Sequence, residues 1–182
     1  WPRYVRVAEW LASEAGLFYS EGAALFAEAS IARDLQLMGE RFMLSGRADL
    51  ISIGNDGTFS IFDFKSGTAP AVKDTSDTFS YQLTLEAAIL EAGGYGNRSK
   101  LAAKKLAYVK VGGGTPAGDE KCIDKNSVAN SAEHLAGLIQ LLTDYMAEDQ
   151  PFLPRANAKP DYKGQHDHLS RYKEWSTRGV LP

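Results

Sequence analysis

Cysteine is nearly absent: Cys122 is the one thiol in 182 residues. A lone thiol forms no intramolecular disulfide, and it fits a reducing, cytoplasmic setting better than a secreted one; Cys122 itself reads as a spectator in a loop or at a strand edge. Long apolar runs are missing as well. Nothing approaches the roughly 20 residues a membrane helix requires, so no membrane partner is expected. The glycine triplet Gly112-Gly113-Gly114 is not followed by Gly-Lys-Ser/Thr, which excludes a nucleotide-binding phosphate loop and with it a motor function. No nucleophile elbow or suitably placed Ser/His pair occurs, so a general serine hydrolase is excluded too. An excess of positive charge is lacking: the formal net charge is −3, the reverse of what overall attraction to nucleic acid would favour. Basic groups cluster only locally, at Lys100, Lys104, Lys105 and Lys110 and again at Arg155, Lys159 and Lys163.

What is present is an ordinary globular balance, 44% hydrophobic and 24% charged, enough for one domain with a sizeable core over residues 1–182. The chain begins at Trp1, and it is expected to be a piece of a longer polypeptide. Its most informative stretch is Phe42 to Gly67. Two β-branched-rich runs, Phe42 to Ile53 and Thr58 to Lys65, flank Gly54-Asn55-Asp56-Gly57 and predict a β-hairpin. A three-residue loop with Gly57 in the left-handed region pairs Gly54 with Thr58. Paired residues then sum to 112, which sets Asp49 opposite Asp63 and Arg47 opposite Lys65 on one face.

Two carboxylates about 5 Å apart across a ladder repel each other unless a positive charge lies between them. Oxygen donors of this kind suit Mg²⁺ or Mn²⁺ better than zinc. Lys65, two residues past Asp63, shares its face and can reach an attacking water or a phosphate oxygen. Two acids and a lysine at one strand end are what metal-assisted phosphodiester hydrolysis requires.

Gly46-Arg47-Ala48-Asp49, then Asp63-Phe64-Lys65-Ser66-Gly67, then Tyr81-Gln82-Leu83-Thr84-Leu85-Glu86-Ala87-Ala88, resemble in order the RecB-like branch of the PD-(D/E)XK nucleases, and within it the C-terminal nuclease domain of AddB. Tyr162, Asp167-His168-Leu169 and Glu174-Trp175 are similar to the end of that family. The resemblance implies an α/β, restriction-endonuclease-like core with a mixed sheet flanked by helices. It implies a metal-dependent DNA exonuclease of a bacterial double-strand break repair complex, fed a single-stranded end by an AddA-like helicase subunit. It carries over Asp49, Asp63 and the Phe64 carbonyl as ligands of Mg²⁺ or Mn²⁺, Lys65 as the group that orients water or stabilises charge, and Gln82 as the residue that positions the strand. Glu28 and Glu86 are possible additional site residues, and Arg47 and Tyr81 are expected at the DNA. Several AddB domains clamp an iron–sulfur cluster with four cysteines, which one cysteine cannot do, so no cluster is expected. Relatives often carry a histidine on an early helix. None precedes His134 here, so Glu14 or another acid replaces it or the site manages with fewer ligands. Related nucleases also place Tyr four residues after the glutamine, where this chain has Glu86.

The remaining elements follow from periodicity. Arg3 to Tyr19 predicts an amphipathic helix interrupted at Gly16, with Trp10 a core anchor rather than a binding platform. Leu25 to Leu37 predicts the first strand, on which Glu28 reads either as a structurally bonded carboxylate or as a further acid of the site. A helix capped by Ser76 or Asp77 is expected to run to Glu91 and end at Gly93-Gly94, with Leu83, Ala87 and Leu90 as its apolar stripe. Lys105 to Val111 predicts a strand, and Ser127 to Glu148 a long helix with His134 on its surface. The tail, residues 150–182, carries Arg155, Tyr162, His166, His168, Arg171 and Trp175. Docking on the domain or its parent is the expected role; contact with single-stranded DNA or metal binding by the two histidines are the alternatives. A catalytically idle binding or scaffold module is the competing reading of the whole chain, favoured by the acidic charge and the missing histidine.

Overall fold

The computed structural model describes residues 1–19, 23–66, 81–93, 95–96, 101–122, 130–147 and 169. The expected Ser76 or Asp77 cap, the tail residues except Leu169, and Lys100 lie outside that set. The chain divides into two compact units, Trp1–Gln140 and Leu141–Pro182, and everything that follows concerns the first. Its elements are α1 (Pro2–Ser13), α2 (Ala15–Phe18), β1 (Ala24–Leu37), β2 (Glu40–Ile53), β3 (Thr58–Lys65), α3 (Gln82–Glu91), β4 (Ala102–Val111), β5 (Gly118–Cys122) and α4 (Ser131–Met146), the last continuing past the unit boundary.

The five strands form one mixed sheet in the order β1-β2-β3-β4-β5. Only β3 and β4 are parallel. A parallel neighbour requires a crossover, and α3 lies within it. The two hairpins follow turn chemistry. Met38 and Gly39 both have positive φ, as a two-residue type I′ turn demands, and close the pair Leu37↔Glu40. At the second hairpin the Gly54 N–H donates to the Thr58 carbonyl at 2.8 Å, and Gly57 has φ +78. The Asp56 carboxylate locks that loop by accepting from the Thr58 N–H and hydroxyl. The pairs from Ile53↔Phe59 to Leu50↔Phe62 keep the expected register.

One side of the sheet packs Ile51, Ile53, Phe59, Ile61 and Leu106 against Leu83 and Leu90 of α3. The other packs Phe62, Ala107 and Val109 against Phe18, with Trp10 and Leu11 of α1 alongside. Each fully buried side chain of this size contributes about 1.5–3 kcal/mol by leaving water. Helix α3 is buried at Leu83, Thr84 and Glu86 through Leu90, so its apolar contacts are wider than the single stripe expected. It ends, as expected, at Gly93, whose φ is +82. Among the described residues no helix is long and apolar enough to cross a membrane.

Three boundaries differ from expectation. The first helix breaks at Glu14 instead of Gly16, where the Trp10 carbonyl accepts both the Glu14 N–H at 2.9 Å and the Ser13 hydroxyl at 2.8 Å. Strand β5 has no counterpart in the sequence reading, since Gly-Asp-Glu-Lys-Cys is a charged edge strand without apolar alternation. Trp10 rests on its Gly118, where a Cβ would fall within 2.3–2.5 Å of the indole ring.

The third difference bears on the site. The β2–β3 ladder stops at Leu50↔Phe62, so Asp49 and Asp63 come one step beyond the last pair and Arg47 has no partner on β3. Arg47 pairs instead with Ser30 on β1. Glu28, at φ +51, sits in a gap between Ala27↔Leu50 and Ala29↔Ala48. Past that gap the inward face of β2 passes from Ile53 and Ile51 to Ala48 and Leu44. Counting by twos therefore fails at Asp49, and Arg47 turns outward, away from Lys65.

Candidate active site

Asp63 is 3% exposed near the end of β3. Burial makes its charge costly, and two elements, β3 itself and α3, supply partners. Lys65 Nζ lies 2.6 Å from Asp63 Oδ2, an ion pair of poor alignment that leaves this oxygen without a directed hydrogen bond. Gln82, in the first turn of α3, donates from Nε2 to Asp63 Oδ1 at 2.8 Å and also reaches Glu86 Oε1 at 3.2 Å. From β2, the Asp49 carboxylate accepts the Phe64 N–H at 2.8 Å. In a continued antiparallel ladder that N–H would meet the Ala48 carbonyl. The Asp49 side chain thus takes over a main-chain hydrogen bond where the strands part, which fixes both acids to the same strand end.

The site face extends across β4. Parallel pairing sets Asp63 beside Tyr108 and Lys65 beside Lys110, and the Lys65 ammonium lies 5.8 Å from the Tyr108 ring centre. Partial burial acts to lower the Lys65 pKa, but the adjoining Asp63 carboxylate, with Tyr108 and Asp49, outweighs it and holds the lysine above its ordinary value. Glu86 is 6% exposed, and its Oε2 is buried with no hydrogen-bond partner. Burial pushes its carboxyl up to about 7, the Gln82 hydrogen bond opposing and the charges of Asp63 and Asp49 adding to the rise.

The structure thus brings together Asp49, Asp63, Lys65, Gln82 and Glu86. Glu86, equally readable from sequence as structural, is part of the cluster. Glu28 and Arg47 lie elsewhere, joined to each other by a 2.7 Å ion pair with both side chains more than half exposed. Tyr81 stacks on His134, ring centres 4.5 Å apart.

His134 corrects the expectation of a surface position. Its Nδ1 is 2.8 Å from the Thr84 hydroxyl, which itself donates to the Tyr81 carbonyl at 3.0 Å. With that hydroxyl proton spent, Nδ1 carries the hydrogen and donates to Thr84. Ser131, one turn earlier on α4, donates to Glu91 at 2.7 Å, so α4 grips α3 at both ends. Nothing in the sequence pattern singles out His134, because a lone histidine on a helix carries no spacing signal. His134→Ala is expected to lower unfolding free energy by about 1–2 kcal/mol, through loss of one hydrogen bond and one ring contact, as read by chemical denaturation.

Among the described residues no group of three or more His, Cys, Asp or Glu side chains is placed to hold a metal ion. The bare Oε2 of Glu86, buried beside two further acids with one ammonium among them, is the observation that fits a divalent cation.

The family model of the PD-(D/E)XK nuclease superfamily matches residues 1–165. The chain belongs to this superfamily. PD-(D/E)XK proteins are typically metal-dependent nucleases, and the mixed five-stranded sheet flanked by helices is consistent with their restriction-endonuclease-like fold. Among solved structures, that of SSO0001 is similar at 19% identity with a TM-score of 0.38, over 70% of this chain and 56% of that one. This PD-(D/E)XK chain therefore spans little more than half the length of that relative. No curated protein matches it.

Proposed function

We propose that this PD-(D/E)XK domain hydrolyses DNA phosphodiester bonds with Mg²⁺ or Mn²⁺, as a RecB-like exonuclease of the AddB type. The carrying observation is the cluster at the end of β3, where buried Asp63 is held by Lys65 and Gln82 while Glu86 keeps an unpartnered oxygen. Asp49, Asp63 and the Phe64 carbonyl would hold the cation, with Glu86 beside them. When bound there, it would lower the pKa of a coordinated water and neutralise charge on the phosphoryl group.

The chain's own residues do the rest. Lys65, its pKa raised, is an ammonium at neutral pH; it cannot serve as the base, and it stabilises negative charge on the phosphoryl oxygens or orients the attacking water. Gln82 fixes Asp63 and faces the strand. Water oxygen bonds to phosphorus as the bond to the 3′ oxygen breaks, leaving a 5′-phosphate and a 3′-hydroxyl.

The finer parts of this reading are an AddA-like helicase partner that threads a single strand to the site and one domain of a larger protein, both resting on the order of the motifs, a cytoplasmic setting resting on the lone cysteine, and a docking tail resting on its aromatic and basic residues. An idle binding module is favoured by the net charge of −3 and by the lack of a histidine before His134. Labelled single- and double-stranded DNA incubated with the domain should be degraded with Mg²⁺ or Mn²⁺ and left intact with EDTA. DNA intact under every metal condition would favour the idle module.

A further inference from the structure

An open groove of about 570 Å³ lies beyond the C-terminal ends of the parallel pair β3 and β4, lined by Arg3, Ser66, Lys110, Thr115 and Asp119 with the glycine loop between β4 and β5. Ligands of open α/β sheets bind at such carboxyl ends. Register ties the groove to the site already described. Lys110 is paired with Lys65 across the parallel ladder, so both lysines rise from the same face one strand spacing apart, roughly 4.8 Å.

The groove is built for an anion. Arg3 reaches it from α1, donating Nε to the Gly112 carbonyl, and Arg6 donates Nε to the Gly113 carbonyl at 2.8 Å. Those bonds moor the loop and leave the terminal N–H groups of the Arg3 guanidinium for a ligand. Lys110 is exposed, and among the described residues it has no ion-pair partner, although Asp119 stands directly across the β4–β5 ladder. Ser66 and Thr115 add hydroxyls. Two cations and two hydroxyls against one carboxylate, beside the lysine of the catalytic cluster, match the charge and hydrogen-bonding capacity of a phosphodiester.

We infer that this groove is a subsite for the backbone phosphate next to the scissile one, with Lys110 as its main contact, Arg3 as the moored second cation, and Asp119 as a brake on affinity. The inference rests on the reading of the domain as a DNA hydrolase and adds where the strand runs: across the ends of β3 and β4 toward the glycine loop.

The test is binding of a fluorescent single-stranded oligonucleotide in EDTA, followed by anisotropy over a range of salt, for wild type, Lys110→Ala and Asp119→Asn. Both side chains are exposed, so both variants should melt with wild type. Lys110→Ala should weaken binding by about 3–10-fold and flatten the slope of log K against log salt by ~0.7, one phosphate contact on a single strand. Asp119→Asn should tighten binding. Wild-type affinity and slope in Lys110→Ala, or a shift of both variants in the same direction, would overturn the subsite. Inorganic phosphate at matched ionic strength should not displace the strand; displacement would assign the groove to the free ion and overturn the proposal. Cleavage by the wild type in Mn²⁺ separates the two readings. Lys110-dependent binding without cleavage leaves the subsite standing and removes the hydrolase, whereas cleavage with a silent Lys110→Ala removes the subsite.

Discussion

Lys65→Ala is expected to lower kcat for DNA cleavage by about 10²–10³-fold, the usual loss when a single donor to a developing oxyanion is removed. Asp63→Asn should leave no measurable cleavage, since the neutral amide supplies no charge to hold a cation. The two variants should part company in stability. Lys65 is the nearest positive charge to buried Asp63, at 2.6 Å. Removing it strands a carboxylate among two other acids, and because the lysine is partly exposed the penalty is about 1–3 kcal/mol, below that for a fully buried pair. Asp63→Asn relieves that crowding and keeps an oxygen for Gln82, so it should melt at or above the wild-type temperature in EDTA. A Lys65→Ala protein that cleaves at the wild-type rate, or both variants losing activity only in proportion to lost fold, would remove these residues from the chemistry.

Without metal, Glu86 should cost the folded domain stability as pH rises from about 4.5 through 7. Its carboxyl ordinarily titrates at 4.5 and is raised to about 7 in the fold by burial. The native state therefore holds the proton more tightly than the unfolded chain does. The Glu86 contribution to stability is full below pH 4.5 and declines until pH passes 7, by roughly 3 kcal/mol for a difference of some 2.5 pKa units. Glu86→Gln removes the titration and keeps a neutral group of the same shape. In EDTA it should match wild type near pH 4 and exceed it by up to about 3 kcal/mol at pH 8, as measured by urea unfolding. A cation that engages the carboxylate should close that gap at pH 8. Parallel pH–stability curves for the two proteins would mean that Glu86 is already neutralised by another group.

The second hairpin was legible because its turn is local chemistry: Gly57 needs the left-handed region, and the register from Gly54↔Thr58 to Leu50↔Phe62 follows by arithmetic. The same arithmetic misplaced Arg47. A single left-handed residue, Glu28 on the neighbouring strand, coincides with the change of inward face at Asp49, and φ at one position of β1 is not written in the alternation of β2. Asp63, Lys65 and Gln82 stood out because two of them share a strand face and the third recurs at a fixed place in a motif. Glu86 stayed open between a structural carboxylate and a further site residue, since a carboxyl buried by tertiary contacts reads in sequence like any helical acid. Strand β5 and His134 were invisible for a related reason. A short charged edge strand and a histidine whose partners lie 50 residues away are both defined by tertiary contacts.

We propose the end of β3 as a divalent metal site that depends on Asp63. Titrating Mn²⁺ into the domain by calorimetry, for wild type and Asp63→Asn side by side, tests it most directly. The wild type should bind Mn²⁺ saturably, and Asp63→Asn should not bind it. Equal binding by both proteins, or none by the wild type even with DNA present, would contradict it.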